Sequence, residues 1–257
     1  MLGTVISTTA FLMCQDEVCD ELIHGMTFRV LDNGAREGTY HIETDYGYRG
    51  DISESDVLLY ENRVHDELHM VLGMFADVLL ESSVRSRILK TLVRGSIVEL
   101  IGEVKDGFSL IKLADGNHGY MNTGGSPRCP ALRRAAGATP PARLRKLLLD
   151  SAMCYLGTQY RWGGKSPMGI DCSGLCFMAY RENGITIYRD AAIKPGFAIR
   201  QIPRLQMKMG DLAFLPGHVA MYAGNGLFIH SSVRNNGVKV DRLEGYPVKE
   251  MVAGSVF

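Results

Sequence analysis

The chain has no excess of charge of either sign: 28 Lys plus Arg are matched by 28 Asp plus Glu over 257 residues. That balance excludes an overall field that would draw in nucleic acid or an anionic membrane surface, so a ligand must be recognised locally. No apolar run reaches the roughly 18 residues of a membrane-spanning helix. No Lys or Arg precedes Arg29, so the apolar stretch from Val5 to Cys14 lacks the positive flank of a secretory signal, and Asp16, Glu17, Asp20 and Glu21 follow it closely. Bulky Met13 stands where a small residue would precede a lipidated cysteine. A cytoplasmic protein is expected, with no membrane partner and no nucleic acid.

Cysteine is present but not in a framework. Cys14, Cys19, Cys129, Cys154, Cys172 and Cys176 are too scattered for a disulfide-dense scaffold, and the chain is long enough to build ordinary cores. Reduced thiols are expected. No CxxC pair or nearby HxxxH accompanies Cys154, Cys172 and Cys176, which argues against zinc, and neither a metal nor another cofactor is called for.

What is there is globular composition, 46% hydrophobic and 22% charged. The first half reads as short strands with turn punctuation: Thr27 to Leu31, Thr39 to Thr44, Val78 to Leu80, Ile97 to Ile101, Ser109 to Leu113 and Gly119 to Met121. Two cycles share a plan. Gly25 and Gly95 each precede an alternating strand, and each cycle closes on an aromatic-glycine segment, Tyr46-Gly47-Tyr48-Arg49-Gly50 and then His118-Gly119-Tyr120-Met121. Spacing of this kind favours small barrels. From Asn122 to Pro141 the chain collects Gly, Ser, Pro and Arg without an apolar period, as a linker should. After Pro141, Leu144, Leu147, Leu148, Ala152 and Tyr155 recur at helical spacing until Gly157.

The chemistry concentrates beyond that helix. Cys172 opens a second helical stretch that runs to Glu182, with Asp171 a good N-cap, so the thiol falls where free N–H groups and the helix dipole favour a thiolate. Downstream, His218-Val219-Ala220-Met221-Tyr222 and Leu227-Phe228-Ile229-His230 flank Gly224-Asn225-Gly226, a hairpin signal. His218 and His230 share parity along the strands and should project from one face. A cysteine at a helix start and two histidines on one sheet face suggest a nucleophile, its base and a residue that orients the base.

Five stretches carry a resemblance to a known family: Tyr160-Arg161-Trp162-Gly163-Gly164, Asp171-Cys172-Ser173-Gly174, Met209-Gly210-Asp211-Leu212, His218-Val219-Ala220-Met221-Tyr222 and Ile229-His230-Ser231-Ser232. In order and spacing the chain resembles the NlpC/P60 cysteine peptidases, over roughly residues 143 to 257. The resemblance implies an α+β, papain-like catalytic domain at 141–257. It assigns Cys172 as nucleophile, His218 as base and His230 as third polar residue, with Tyr160 near the oxyanion. His218 would take the Cys172 proton to give a thiolate–imidazolium pair. The two β cycles resemble bacterial SH3-like domains, at 1–62 and 63–125, with 126–140 as linker.

SH3-like modules before such a domain resemble the YkfC-like branch, the γ-D-glutamyl-L-diamino acid endopeptidases of the dipeptidyl-peptidase VI type. That likeness implies a small peptidoglycan peptide, L-Ala-γ-D-Glu-diamino acid, as substrate, used in murein recycling or wall turnover. Within Arg189-Asp190-Ala191 it assigns Asp190 to the free α-amine, and it makes Asp171, Ser173 and Arg189 further substrate contacts. Lys194 departs from the glutamine of the commoner pattern. Tyr48, with Tyr46 close behind, is the tyrosine the first module would lend to the cleft. Two other readings keep part of this: a non-catalytic binder of wall peptides, and an amidase or acyltransferase of the same fold. The oligomeric state is not specified by any of these features.

Overall fold

The computed structural model describes residues 1–61, 68–102, 106–123 and 139–257. The chain divides into two units, residues 1–132 and 133–257. Most of the expected linker lies outside the described residues.

The first unit is built of antiparallel strands: β1 (Leu2–Val5), β2 (Thr9–Cys14), β3 (Glu17–Ile23), β4 (Thr27–Asn33), β5 (Thr39–Thr44), β6 (Arg49–Ser53) and β7 (Val57–Tyr60). They form one sheet in the order β3-β2-β6-β5-β4-β1-β7. Alternation puts Val5, Leu12, Leu22, Phe28, Ile42 and Ile52 into its core. A second sheet holds β8 (Leu68–Met70), β9 (Phe75–Leu79), β10 (Ile88–Val93), β11 (Ile97–Leu100), β12 (Phe108–Lys112) and β13 (His118–Asn122), in the order β10-β9-β13-β12-β11-β8. Neither order closes on itself among the described residues. The expectation of small barrels is therefore met at the coarser level of two successive antiparallel β modules. Gly25 and Gly95 have φ of 80° and 92°, so each turn needs the left-handed conformation that glycine adopts without strain.

The hairpin β2–β3 escaped the sequence pattern because its turn residues, Gln15 and Asp16, take φ of 50° and 70° without the usual Asn-Gly signal. Beside this turn Cys14 and Cys19 form a disulfide with Cα atoms 5.7 Å apart. This corrects the expectation of reduced thiols throughout: antiparallel pairing brings together two residues that linear spacing alone did not single out. The two modules meet at buried His24, whose Nδ1 donates to Ile6 O at 2.9 Å and whose Nε2 accepts the Ala114 N–H at 3.1 Å. Burial first, then the Lys90 charge, push its pKa down to about 4, so the ring bridges as a neutral donor and acceptor.

The second unit is α+β. α1 (Pro141–Met153) starts on proline at its first position and buries Leu144, Leu148 and Ala152. After a short ladder of β14 (Lys165–Ser166) and β15 (Gly169–Ile170) comes α2 (Cys172–Arg181), which packs on the sheet. That sheet comprises β16 (Arg200–Ile202), β17 (Leu212–Leu215), β18 (His218–Gly224), β19 (Leu227–Ser232), β20 (Gly237–Asp241) and β21 (Val252–Ser255), in the order β16-β21-β17-β18-β19-β20. Asp211, fully buried, ties these layers: Arg145 of α1 donates to its Oδ1 at 2.7 Å and Ser255 of β21 at 2.6 Å. The Gly210-Asp211 motif is thus a staple between helix and sheet. Among the described residues no helix is long and apolar enough to cross a membrane.

Candidate active site

α2 begins at Cys172 because Asp171 caps it, its Oδ1 accepting the Gly174 N–H at 2.6 Å. Glycine at 174 follows from close packing: a Cβ there would lie 2.2 Å from Gly164 O. The Asp171 carboxylate also accepts the Gly163 N–H at 2.9 Å and faces the Arg189 guanidinium, with Nη1 3.0 Å from Oδ1 and Nη2 3.0 Å from Oδ2. Arg189 reaches Ser173 Oγ at 2.7 Å and Gly163 O at 3.0 Å and is almost wholly buried. Asp171, Ser173 and Arg189 therefore form one network under the start of α2. It anchors the turn that carries Cys172.

β18 and β19 pair with Met221 opposite Ile229 and Tyr222 opposite Phe228. Continuing that register puts Ala220 opposite His230, so His218 lies diagonal to His230 on the same face. Their rings are hydrogen-bonded, His218 Nε2 to His230 Nδ1 at 2.9 Å. The Cys172 sulfur accepts the backbone N–H groups of Val219 and Ser173, which places it next to His218 along β18. Cys172, His218 and His230 are all buried. Tyr160, bridged through its backbone to Ile170, is half-buried; burial first, then the Cys172 and Asp171 charges, push its hydroxyl up to about 12, which keeps it a neutral donor.

Burial works against a preformed thiolate–imidazolium pair at this site. Burial, then the Asp171 carboxylate, push the Cys172 thiol up to about 11, and the N–H donors of Val219 and Ser173 do not offset this. Burial, then the neighbouring His230, push His218 down to about 4. Both shifts favour the neutral forms. Because a base must be unprotonated, chemistry that uses His218 should keep its full kcat/KM down to about pH 5 and fall below it. A pH–rate profile checks this; an acid limb near the ordinary histidine value of about 6.5 would show an imidazole that is not desolvated.

Several residues at the site were not singled out from the sequence. Asp241 Oδ2 lies 3.1 Å from His230 Nε2, and Asn235 Nδ2 donates to the same oxygen at 3.1 Å. Tyr246 stacks on His218 with ring centroids 4.7 Å apart. The signal for Asp241 was present in Asn235-Asn236-Gly237 followed by the alternating Val238, Lys239, Val240 and Asp241, a turn and a further strand.

Beside Ser173 and Val219 a pocket opens that is lined by buried Ile187 and Phe214 and by exposed Asp190 and Lys194. Tyr188 donates its hydroxyl to Asp190, and Lys194 Nζ sits 4.3 Å from the Tyr188 ring centroid. Tyr48 belongs to the first unit, where it packs half-buried on the first sheet's core, while Tyr46 is buried and donates to Asp20.

The profile of the NlpC/P60 family matches residues 157–256. Over 235 residues the chain is 37% identical to the Dipeptidyl-peptidase 6 of Lysinibacillus sphaericus, a match covering 89% of this chain and 85% of that protein. A shorter match, 33% identical over 101 residues, joins 36% of this chain to 34% of the Gamma-D-glutamyl-L-lysine dipeptidyl-peptidase of Bacillus subtilis (strain 168). Among solved structures, an NlpC/P60 family protein from Bacillus cereus ATCC 10987 aligns with a TM-score of 0.79 at 18% identity, over 99% of this chain and 98% of that one. At that identity the likeness speaks for the fold alone.

Proposed function

The chain belongs to the NlpC/P60 family, and from that premise we propose that it is a cysteine peptidase cutting the bond between γ-D-glutamate and the diamino acid of peptidoglycan stem peptides. The observation that carries this reading is a buried cysteine at a helix start, beside a hydrogen-bonded histidine pair, in a chain related along most of its length to a Dipeptidyl-peptidase 6. The Cys172 sulfur attacks the γ-carbonyl carbon while its proton passes to His218. The oxyanion is held by the Cys172 N–H and the Tyr160 hydroxyl. Collapse breaks the C–N bond, His218 protonates the departing amine, and water activated by the same imidazole hydrolyses the thioester. Mass spectrometry after incubation with L-Ala-γ-D-Glu-L-lysine and with its diaminopimelate counterpart should find L-Ala-D-Glu. Binding of either peptide without product would point to a wall-peptide binder instead.

Specificity for a free amino terminus is part of the proposal. The Asp190 carboxylate lines the pocket next to Ser173, where a charge-assisted hydrogen bond to an ammonium would select against an acylated terminus. Asp190→Ala should lower turnover of the free tripeptide by at least about tenfold, the scale of one lost charged hydrogen bond. Equal cleavage rates for free and N-acetylated tripeptide by the wild-type protein would remove this role.

The two β modules are read as SH3-like domains at 1–62 and 63–125; the repeated glycine turn at Gly25 and Gly95 supports the repeat. The catalytic domain spans 141–257. A cytoplasmic site of action fits a substrate with a free amine, released from glycan before cleavage. The Cys14–Cys19 disulfide is the counter-observation, since such bonds persist in oxidising compartments. Recovery of the protein from the envelope fraction with this bond intact would replace the cytoplasmic assignment.

A further inference from the structure

Behind the histidine pair stands a carboxylate that neither the motifs nor the family relationship assigns. β20 pairs with β19 so that Lys239 faces His230 and Asp241 faces Phe228. Asp241 is thus diagonal to His230 on the same sheet face. Three ring and carboxylate groups then line up. Asp241 Oδ2 lies 3.1 Å from His230 Nε2, and His230 Nδ1 lies 2.9 Å from His218 Nε2.

An ionised carboxylate only accepts hydrogen bonds, whereas a neutral imidazole donates from one nitrogen and accepts at the other. A proton on His230 Nε2 satisfies Asp241, and it leaves His230 Nδ1 as an acceptor. His218 must then donate from Nε2, which leaves its Nδ1 with the lone pair. We propose that Asp241 is a positioning residue that sets the direction of this chain, so that His218 Nδ1 is the nitrogen that takes the Cys172 proton. This rests on the peptidase reading for its consequence, though not for its geometry.

The opposite direction has one possible driver, the Asn235 amide, whose Nδ2 lies 3.5 Å from His230 Nε2. That contact is longer than the charge-assisted contact to Asp241, and the same amide donates to Asp241 at 3.1 Å. Burial alone would raise the Asp241 pKa, but donors from His230, the Leu243 N–H at 2.7 Å and Asn235 outweigh it and hold the carboxylate ionised. The other groups facing the pair are Tyr246, stacked on His218 and edge-on to His230 with centroids 5.5 Å apart, and Arg234, which lies over Tyr246 and disfavours an imidazolium at His218. Asp241 is the one of these that favours it. It therefore stabilises the charge that His218 gains during the reaction, relayed through a ring that need not itself change protonation.

Nitrogen-15 NMR of histidine-labelled full-length protein at neutral pH should find both His218 and His230 protonated at Nε2 and bare at Nδ1. A proton on Nδ1 of either ring would overturn the proposal. In Asp241→Asn an amide can donate to His230 Nε2 and reverse the chain, so kcat for the γ-glutamyl tripeptide should fall at least about tenfold with KM little changed. The NMR pattern should invert in the same variant, and Asp241→Glu should recover part of both. Wild-type tautomers and wild-type kcat in Asp241→Asn would sink the assignment. If the wild-type protein shows the predicted tautomers but cleaves no γ-glutamyl peptide, the relay stands and the peptidase reading fails.

Discussion

Cys172→Ala is expected to lower kcat for the γ-glutamyl tripeptide by on the order of 10⁶-fold, the scale seen when a covalent nucleophile is removed from a triad. In the proposed mechanism its sulfur is the atom that forms the thioester, and neither His218 nor Tyr160 would replace it. Alanine keeps the helix start intact, since the cap on α2 comes from Asp171 and not from the thiol. The melting temperature should therefore stay within a few degrees of wild type. His218→Ala should cost a similar amount, and the double variant little more than either alone, because the two act as one unit. Residual hydrolysis by Cys172→Ala above about a hundredth of the wild-type rate would mean that Cys172 is not the nucleophile.

Arg189→Met is expected to destabilise the fold by about 3–5 kcal/mol, the cost of leaving one partner of a buried ion pair alone. The guanidinium contacts both Asp171 oxygens and the Gly163 carbonyl, and both side chains are nearly excluded from solvent. Methionine preserves much of the length of the side chain but none of the donors, so the Asp171 charge would be left with backbone N–H groups and Ser173 alone. Because that carboxylate caps α2, activity should fall with stability. Urea denaturation at constant pH measures the change, and Asp171→Asn added to Arg189→Met should return part of it by removing the stranded charge. A loss below about 1 kcal/mol would place the pair in the range of exposed ion pairs and refute its structural role.

Cys172 and both histidines of the proposed site could be picked out from the sequence because each sits in a local pattern. Cys172 follows an N-cap residue, and His218 and His230 flank a Gly-Asn-Gly turn whose Asn225 and Gly226 take φ of 54° and 74°. Strands β4, β5, β11, β12 and β13 were readable for the same reason: alternation and glycine turns act over a few residues. The β2–β3 hairpin was missed because Gln15 and Asp16 adopt a glycine-type turn without glycine. Its disulfide was missed with it.

Arg189 shows how far a motif can reach. Its proximity in sequence to Asp190 suggested a shared task at the substrate, yet its guanidinium is buried against Asp171 while Asp190 lies exposed on the neighbouring pocket. Adjacent residues on an irregular segment point in different directions, and burial separates their chemistry.

By itself the sequence determined the order of modules, the helix that presents Cys172, and the parity that puts His218 and His230 on one face. Those depend on periodicity, capping and turn chemistry, which are local. Only the tertiary structure decided that Asp241 stands behind His230, that Arg189 neutralises Asp171, and that burial disfavours charge on Cys172 and His218. Each of these follows from long-range strand register or from exclusion of water, and both arise only once β18, β19, β20 and α2 have packed together.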